Sequence, residues 1–157
     1  MKKFQIDESL IKKYSISGPR YTSYPTAPLW KDITPEIQKE WYLENLKESK
    51  RDLSLYIHIP FCLEQCYFCS CNVTITKDMG QSKSYVASVI EEIEAFSRLQ
   101  TTKRRVIQLH FGGGTPTFLT NQEFRDLMST FKKHFSFASD AEIAIEVDPR
   151  TTRYHQL

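Results

Sequence analysis

The chain has 157 residues, of which 40% are hydrophobic and 25% charged, with a net charge of +2. This length and balance predict one ordinary globular domain, and the small charge argues against a nucleic-acid or anionic-membrane partner. Lys2 and Lys3 open a polar segment rather than a signal peptide, and no apolar run approaches a membrane span, so the expected location is the reducing cytoplasm.

Residues 1–50 read as an extension placed ahead of a βα-type domain at 51–157. Glu8 to Tyr14 is expected to form a short helix. Ser17 to Pro28 holds three prolines and a glycine. Proline fixes φ and removes a donor, so an extended loop is expected there. Thr34-Pro35 reads as an N-cap followed by proline at the first helical position. A helix over 35–48 would carry Ile37, Trp41, Tyr42 and Leu46 on one side.

From residue 53 the pattern alternates strand and helix. Leu53, Leu55, Ile57 and Ile59 alternate with Ser54, Tyr56 and His58. A helix over about 82–99 follows from Tyr85, Val86, Val89, Ile90, Ile93 and Phe96. Ile107, Leu109 and Phe111 mark a second strand. Thr120 to Glu123 is a capping box opening a helix with Phe124, Leu127, Met128 and Phe131 inward. Ala141, Ile143, Ile145 and Val147 mark a third strand, and Thr151 to Leu157 would begin the next helix. The order implies an α/β fold with a parallel sheet and right-handed crossovers.

The strands keep one polar face, made of Tyr56, His58, Gln108, His110, Glu142, Glu146 and Asp148. Parallel strands covered on both sides usually read as continuous apolar runs. One face is therefore expected on helices. The other is expected to line the polar interior of an open or closed barrel, in preference to forming a bare solvated face.

All four cysteines lie in one loop, Cys62, Cys66, Cys69 and Cys71, directly after the first strand. Their clustering favours an iron–sulfur cluster, since thiolates are its preferred ligands. A disulfide framework needs an oxidising compartment, and zinc sites usually draw ligand pairs from two separated loops. Both readings stay open, as does a set of unliganded buried thiols. The second strand ends in Gly112-Gly113-Gly114-Thr115-Pro116, and the third in Glu146-Val147-Asp148-Pro149. Sites in parallel α/β folds form at the C-terminal ends of strands, so the three endings describe one site. The glycine triplet alone fits a tight turn equally well, and Glu146 alone fits a solvated carboxylate.

Cys62-x3-Cys66-x2-Cys69 followed by Gly112 to Pro116 resembles the radical S-adenosylmethionine enzymes. The segments Ser17–Ala27, Leu53–Cys62 and Ile145–Arg150, with Cys71 after Cys69, are similar to those of the oxygen-independent coproporphyrinogen III oxidases. That resemblance implies an N-terminal portion of a partial (β/α) barrel. It implies a 4Fe–4S cluster on Cys62, Cys66 and Cys69, with Cys71 not a ligand. It implies a first S-adenosylmethionine at Tyr56, Gly113 and Glu146, and a second at Phe68, Gly114 and Thr115. The implied reaction is oxidative decarboxylation of two propionates of coproporphyrinogen III to vinyl groups, giving protoporphyrinogen IX, with an electron donor the sequence does not identify. Arg20 would suit a substrate propionate, or would be a surface charge of its loop. Ser70 stands where the family commonly has glycine. The resemblance spans the chain but only about the first third of such proteins, so two complete βα units and a third strand are expected. A chain of this extent is expected to be inactive alone. A non-catalytic cluster-binding fragment and a heme-trafficking paralogue are the alternatives.

Overall fold

The computed structural model describes residues 7–15, 29–48, 51–100 and 104–156. They fall into two compact units, one within Met1–Ile37 and one within Gln38–Leu157. The Pro-rich loop and Arg20 lie outside the described residues, as does the side chain of Leu46.

In the first unit, helix α1 runs over Glu8–Tyr14 and is capped by Asp7, whose carboxylate accepts from the Ser9 and Leu10 amides. The Ser9 hydroxyl, which also donates to it at 2.7 Å, and then these amides hold the Asp7 carboxyl below its ordinary value. Helix α2 spans Pro35–Glu48, and from Gln38 onward it belongs to the second unit. The Thr34 hydroxyl accepts from the Ile37 amide at 3.4 Å, as an N-cap should.

In the second unit, β1 (Leu53–Ile59), β4 (Arg105–Gly113) and β5 (Ser136–Ile145) form a parallel sheet in the order β1-β4-β5. Helix α3 (Gln81–Leu99) links β1 to β4, and α4 (Asn121–His134) links β4 to β5. A second, two-residue parallel ladder joins β2 (Phe61–Cys62) to β3 (Thr74–Ile75). The expected strand–helix alternation is therefore present, and among the described residues the sheet does not close into a barrel.

The core lies between the sheet and the two helices. Ile59, Val106, Leu109 and Phe111 meet Val86 and Ile93 of α3 and Leu127 and Phe131 of α4. Phe111 packs against Phe124 at 4.9 Å and edge-on to Phe131 at 6.3 Å between ring centres. Full burial of each large apolar side chain contributes about 1.5–3 kcal/mol. Tyr42 of α2 reaches this unit's core edge-on to Phe96, at 5.4 Å.

Several expectations are corrected. β5 begins at Ser136, five residues ahead of the expected Ala141, and ends at Ile145. Val147 thus lies beyond the strand. Ile107 was expected inward with Leu109 and Phe111, but it is 40% exposed. The cause is a register shift between Val106 and Gln108, which turns Val106 to the core in its place. Ile143 is 51% exposed on β5, which has no partner on its outer edge among the described residues. Instead of a helix opening at Thr151, a turn leads to a single 3-10 turn at Tyr154–Gln156.

A buried strap joins the starts of the two helices. Thr120 and Glu123 form the capping box of α4. The second oxygen of the same carboxylate lies 2.7 Å from the fully buried Ser82 hydroxyl, at the start of α3. That hydroxyl is also 2.9 Å from the Met79 carbonyl. Removing it leaves a carboxylate oxygen without a protein donor beside the core. Ser82→Ala should therefore destabilise the protein by about 1–3 kcal/mol, read as a lower urea midpoint at unchanged slope.

Candidate functional site at the strand ends

Parallel pairing sets Ile59 against Gly113 and Phe111 against Ile145, so all three strands finish at one rim. Three segments leave it: the cysteine loop, the glycine triplet and Glu146 to Arg150.

The polar face of the sheet converges there. Tyr56 stacks on His110, with ring centres 5.8 Å apart. The Tyr56 hydroxyl is 3.2 Å from His58 Nδ1, and His58 Nε2 is 2.9 Å from the Asn72 carbonyl oxygen. His110 Nε2 lies 3.1 Å from Glu146 Oε1, and the Gly113 amide donates to Glu146 Oε2 at 3.1 Å. Both carboxylate oxygens are thus held. Partial burial, followed by the Glu146 charge, raises the Tyr56 phenol, which stays a neutral hydrogen-bonding group. Tyr56 and Glu146, which strand alternation puts on the polar face, stand with Gly113, which the resemblance adds to them. His58, His110 and Asn72 join them without having been assigned roles. Both histidines lie on the polar face that alternation predicts, His58 one residue and His110 three residues before a strand end.

The glycines are required by close approach. Gly113 has φ +112°, and a Cβ there would lie 2.7 Å from the His58 ring. A Cβ on Gly112 would meet Tyr56 at 2.9 Å and Glu146 at 3.0 Å. A Cβ on Gly114 would meet the Phe61 carbonyl oxygen at 2.8 Å and Cys62 Sγ at 2.9 Å. The triplet is therefore a bare cradle pressed against both the polar cluster and the cysteine loop.

The loop is fastened at its base. The Thr74 amide donates to Pro60 O at 2.7 Å and the Thr76 amide to Cys62 O at 3.0 Å. Cys62 is buried, with Sγ 3.3 Å from the Thr115 hydroxyl. The Thr115 amide donates to Phe61 O at 2.8 Å. Cys66 and Cys69 are half-buried and close a turn through the Cys69 amide and Cys66 O, at 3.1 Å. Arg150 donates to Cys66 Sγ at 3.3 Å. Its guanidinium is clamped by Asp148, at 3.0 and 2.7 Å, which holds the Asp148 carboxyl below its ordinary value. Cys71 is exposed, and its hydrogen bond with Cys69 raises its thiol above the usual range.

Phe68 is 91% exposed on the cysteine loop. A cavity of about 430 Å³ lies beside Thr115, lined also by Leu63, Thr117, Thr120 and Arg153; neither Tyr56 nor Glu146 lines it.

The donor set fits a thiolate-held iron–sulfur group. The four cysteines are free thiols on one anchored loop, and two of their sulfurs already share hydrogen bonds with groups outside it: Cys62 with the Thr115 hydroxyl and Cys66 with Arg150. As placed, no three His, Cys, Asp or Glu side chains among the described residues are gathered as a single ion would require.

Gly113→Ala should force the His58 ring aside and strain the turn. A destabilisation of about 1–3 kcal/mol is expected from the positive φ alone. Thermal unfolding of Gly113→Ala against Ser70→Ala, an exposed-loop control, checks it.

Comparison with known proteins agrees with this geometry. Residues 56–157 match the Radical SAM superfamily. An oxygen-independent coproporphyrinogen III oxidase of Pseudomonas aeruginosa is 46% identical over 146 residues, covering 92% of this chain and 32% of that protein. One from Mannheimia haemolytica is 41% identical over 143 residues, covering 91% of this chain and 96% of the relative. A solved structure described as coproporphyrinogen III oxidase (HemN) from Escherichia coli, a radical SAM enzyme, superposes with a TM-score of 0.74 at 40% identity. That match covers 95% of this chain and 32% of the other. The chain thus spans about a third of the length of most of the relatives it matches. By the superfamily match and by the near-complete coverage of the Mannheimia relative, it belongs to the oxygen-independent coproporphyrinogen III oxidase family of radical S-adenosylmethionine proteins.

Proposed function

We propose that this chain carries the cluster-binding and first cofactor-binding part of an oxygen-independent coproporphyrinogen III oxidase, an oxidoreductase of heme biosynthesis. The observation that carries this is the convergence of the cysteine loop, the glycine cradle and Glu146 at one sheet rim. In this reading residues 1–50 are an extension and 51–157 the incomplete barrel domain, and the protein acts in the cytoplasm.

Cys62, Cys66 and Cys69 would hold a 4Fe–4S cluster, with Cys71 outside the ligand set. When bound, the cluster and S-adenosylmethionine supply one-electron and radical chemistry, which the protein itself lacks. Glu146 would receive the amino group of a first S-adenosylmethionine, trading its present partners His110 and the Gly113 amide for the ligand. The Gly113 amide, released from Glu146, would be a donor available to the ligand, and Tyr56 would supply an aromatic face and a neutral hydroxyl. Gly114 and Thr115 would serve a second S-adenosylmethionine together with Phe68, which is exposed on the cysteine loop. The substrate is coproporphyrinogen III, the change is loss of two propionate carboxyl groups as CO2, and the electron donor is a separate component.

A second reading is supported by the open edge of β5 and the exposed Ile143. The 157 residues alone would bind a cluster without turnover, because the polar face would be open to water and reactive species would not be sequestered. An anaerobic assay for protoporphyrinogen formation separates the two readings. A heme-trafficking role would instead require heme binding by the apo-protein, and titration with heme tests it.

Reconstituted with iron and sulfide, the protein should hold about four of each per chain, the content of a 4Fe–4S cluster. Cys62→Ala, Cys66→Ala and Cys69→Ala should each lose most of it, and Cys71→Ala should keep it. Iron and sulfide analysis with Mössbauer spectra reads the outcome; loss in Cys71→Ala with retention in Cys69→Ala would overturn the ligand assignment.

A further inference from the structure

We propose that Arg150 is a positioning residue for Cys66 which raises the reduction potential of the group that Cys66 ligates. The inference rests on Cys66 being a cluster ligand. It adds a function for a residue that neither the cysteine spacing nor the polar strand face singles out.

The geometry is specific. Arg150 follows β5, and Cys66 sits in the loop after β1, 84 residues away in sequence. Nη2 of Arg150 donates to Cys66 Sγ at 3.3 Å. The same nitrogen donates to Asp148 Oδ2 at 2.7 Å, and Nε donates to Asp148 Oδ1 at 3.0 Å. The Arg150 amide also donates to Asp148 Oδ1, at 3.0 Å. Asp148 itself is fixed by its place in a turn, with its carbonyl accepting from the Thr151 and Thr152 amides at 3.1 and 2.9 Å. The Nε–Nη2 edge is therefore spent on Asp148, so Arg150 is not free to clamp a substrate carboxylate through that edge. What remains is a fixed N–H aimed at sulfur.

A hydrogen bond to a ligating sulfur and a nearby positive charge both favour the more negative, reduced state. Removing Arg150 removes both and leaves the Asp148 carboxylate uncompensated beside Cys66. Neutralising Asp148 does the reverse: the guanidinium keeps one acceptor oxygen, and its charge is no longer offset. The two substitutions should therefore move the potential in opposite directions. A residue that only held the loop in place would move both the same way.

The test uses the 157-residue protein reconstituted anaerobically, with iron and sulfide counted for every variant. Each is titrated with dithionite against mediators, and the reduced signal is followed by electron paramagnetic resonance. Arg150→Met should lower the reduced-to-oxidised ratio roughly tenfold at a fixed potential, a shift of about 59 mV for one electron. Asp148→Asn should shift it upward, and Arg150→Lys, which keeps a cation but loses the fork, should restore part of the loss. If Arg150→Met assembles no cluster, the direction of the Asp148→Asn shift decides. An unchanged potential in Arg150→Met, shifts of one sign in both variants, or loss of the cluster in Arg150→Lys would overturn the proposal. Absence of iron and sulfide in the unsubstituted protein would instead overturn the ligand assignment on which it rests.

Discussion

The rim depends on one constraint, the parallel register that sets Ile59 beside Gly113 and brings Ile145 level with Phe111. Parallel strands all end on the same side, so each crossover helix returns the chain to deliver another loop to that edge. The register is pinned by burial. Ile59, Leu109 and Phe111 are wholly inside, and sliding a strand by one residue would turn them to the polar face. The same alternation that buries them presents Tyr56, His58 and His110 on the opposite side. Core packing and site assembly are thus two consequences of one pairing.

The second dependence is on bare backbone. Gly112, Gly113 and Gly114 let the β4 turn press against Tyr56, His58 and Cys62 in succession, at distances a side chain would forbid. This close approach lets the Gly113 amide reach Glu146 and the Thr115 hydroxyl reach Cys62. Two of the three expected ligand sulfurs share a hydrogen bond with a different strand end: Cys62 with the segment after β4, Cys66 with the segment after β5. The cysteine loop is not a self-contained motif. Its electrostatics are set by the rest of the sheet.

Much of this was legible from local pattern. The capping box at Thr120, the helix over 35–48 and the strand over 53–59 each follow from short-range chemistry, and each stands where expected. Strand periodicity alone puts Tyr56 and Glu146 on one side, and the resemblance adds Gly113 to them. What escaped depends on contacts distant in sequence. The shift that exposes Ile107 arises between neighbouring strands, and no property of Ile107 announces it. β5 starts early at Ser136 because Arg105 and Val106 pair with Ser136 and Phe137, although Ser139 and Asp140 break the apolar alternation there. The Ser82–Glu123 strap and the Arg150–Cys66 bond join residues far apart in the chain.

The central claim is that the three strand ends make one ligand site, with Glu146 and the cysteine loop serving the same bound molecule. The most direct measurement is S-adenosylmethionine titration of the reduced, reconstituted protein, followed through its electron paramagnetic resonance spectrum. A saturable change in the spectrum is predicted, with the midpoint moved to about tenfold higher concentration in Glu146→Gln, the loss of roughly 1.4 kcal/mol from one charge-assisted contact. A spectrum that S-adenosylmethionine leaves unchanged, or a midpoint indifferent to Glu146, would contradict the account.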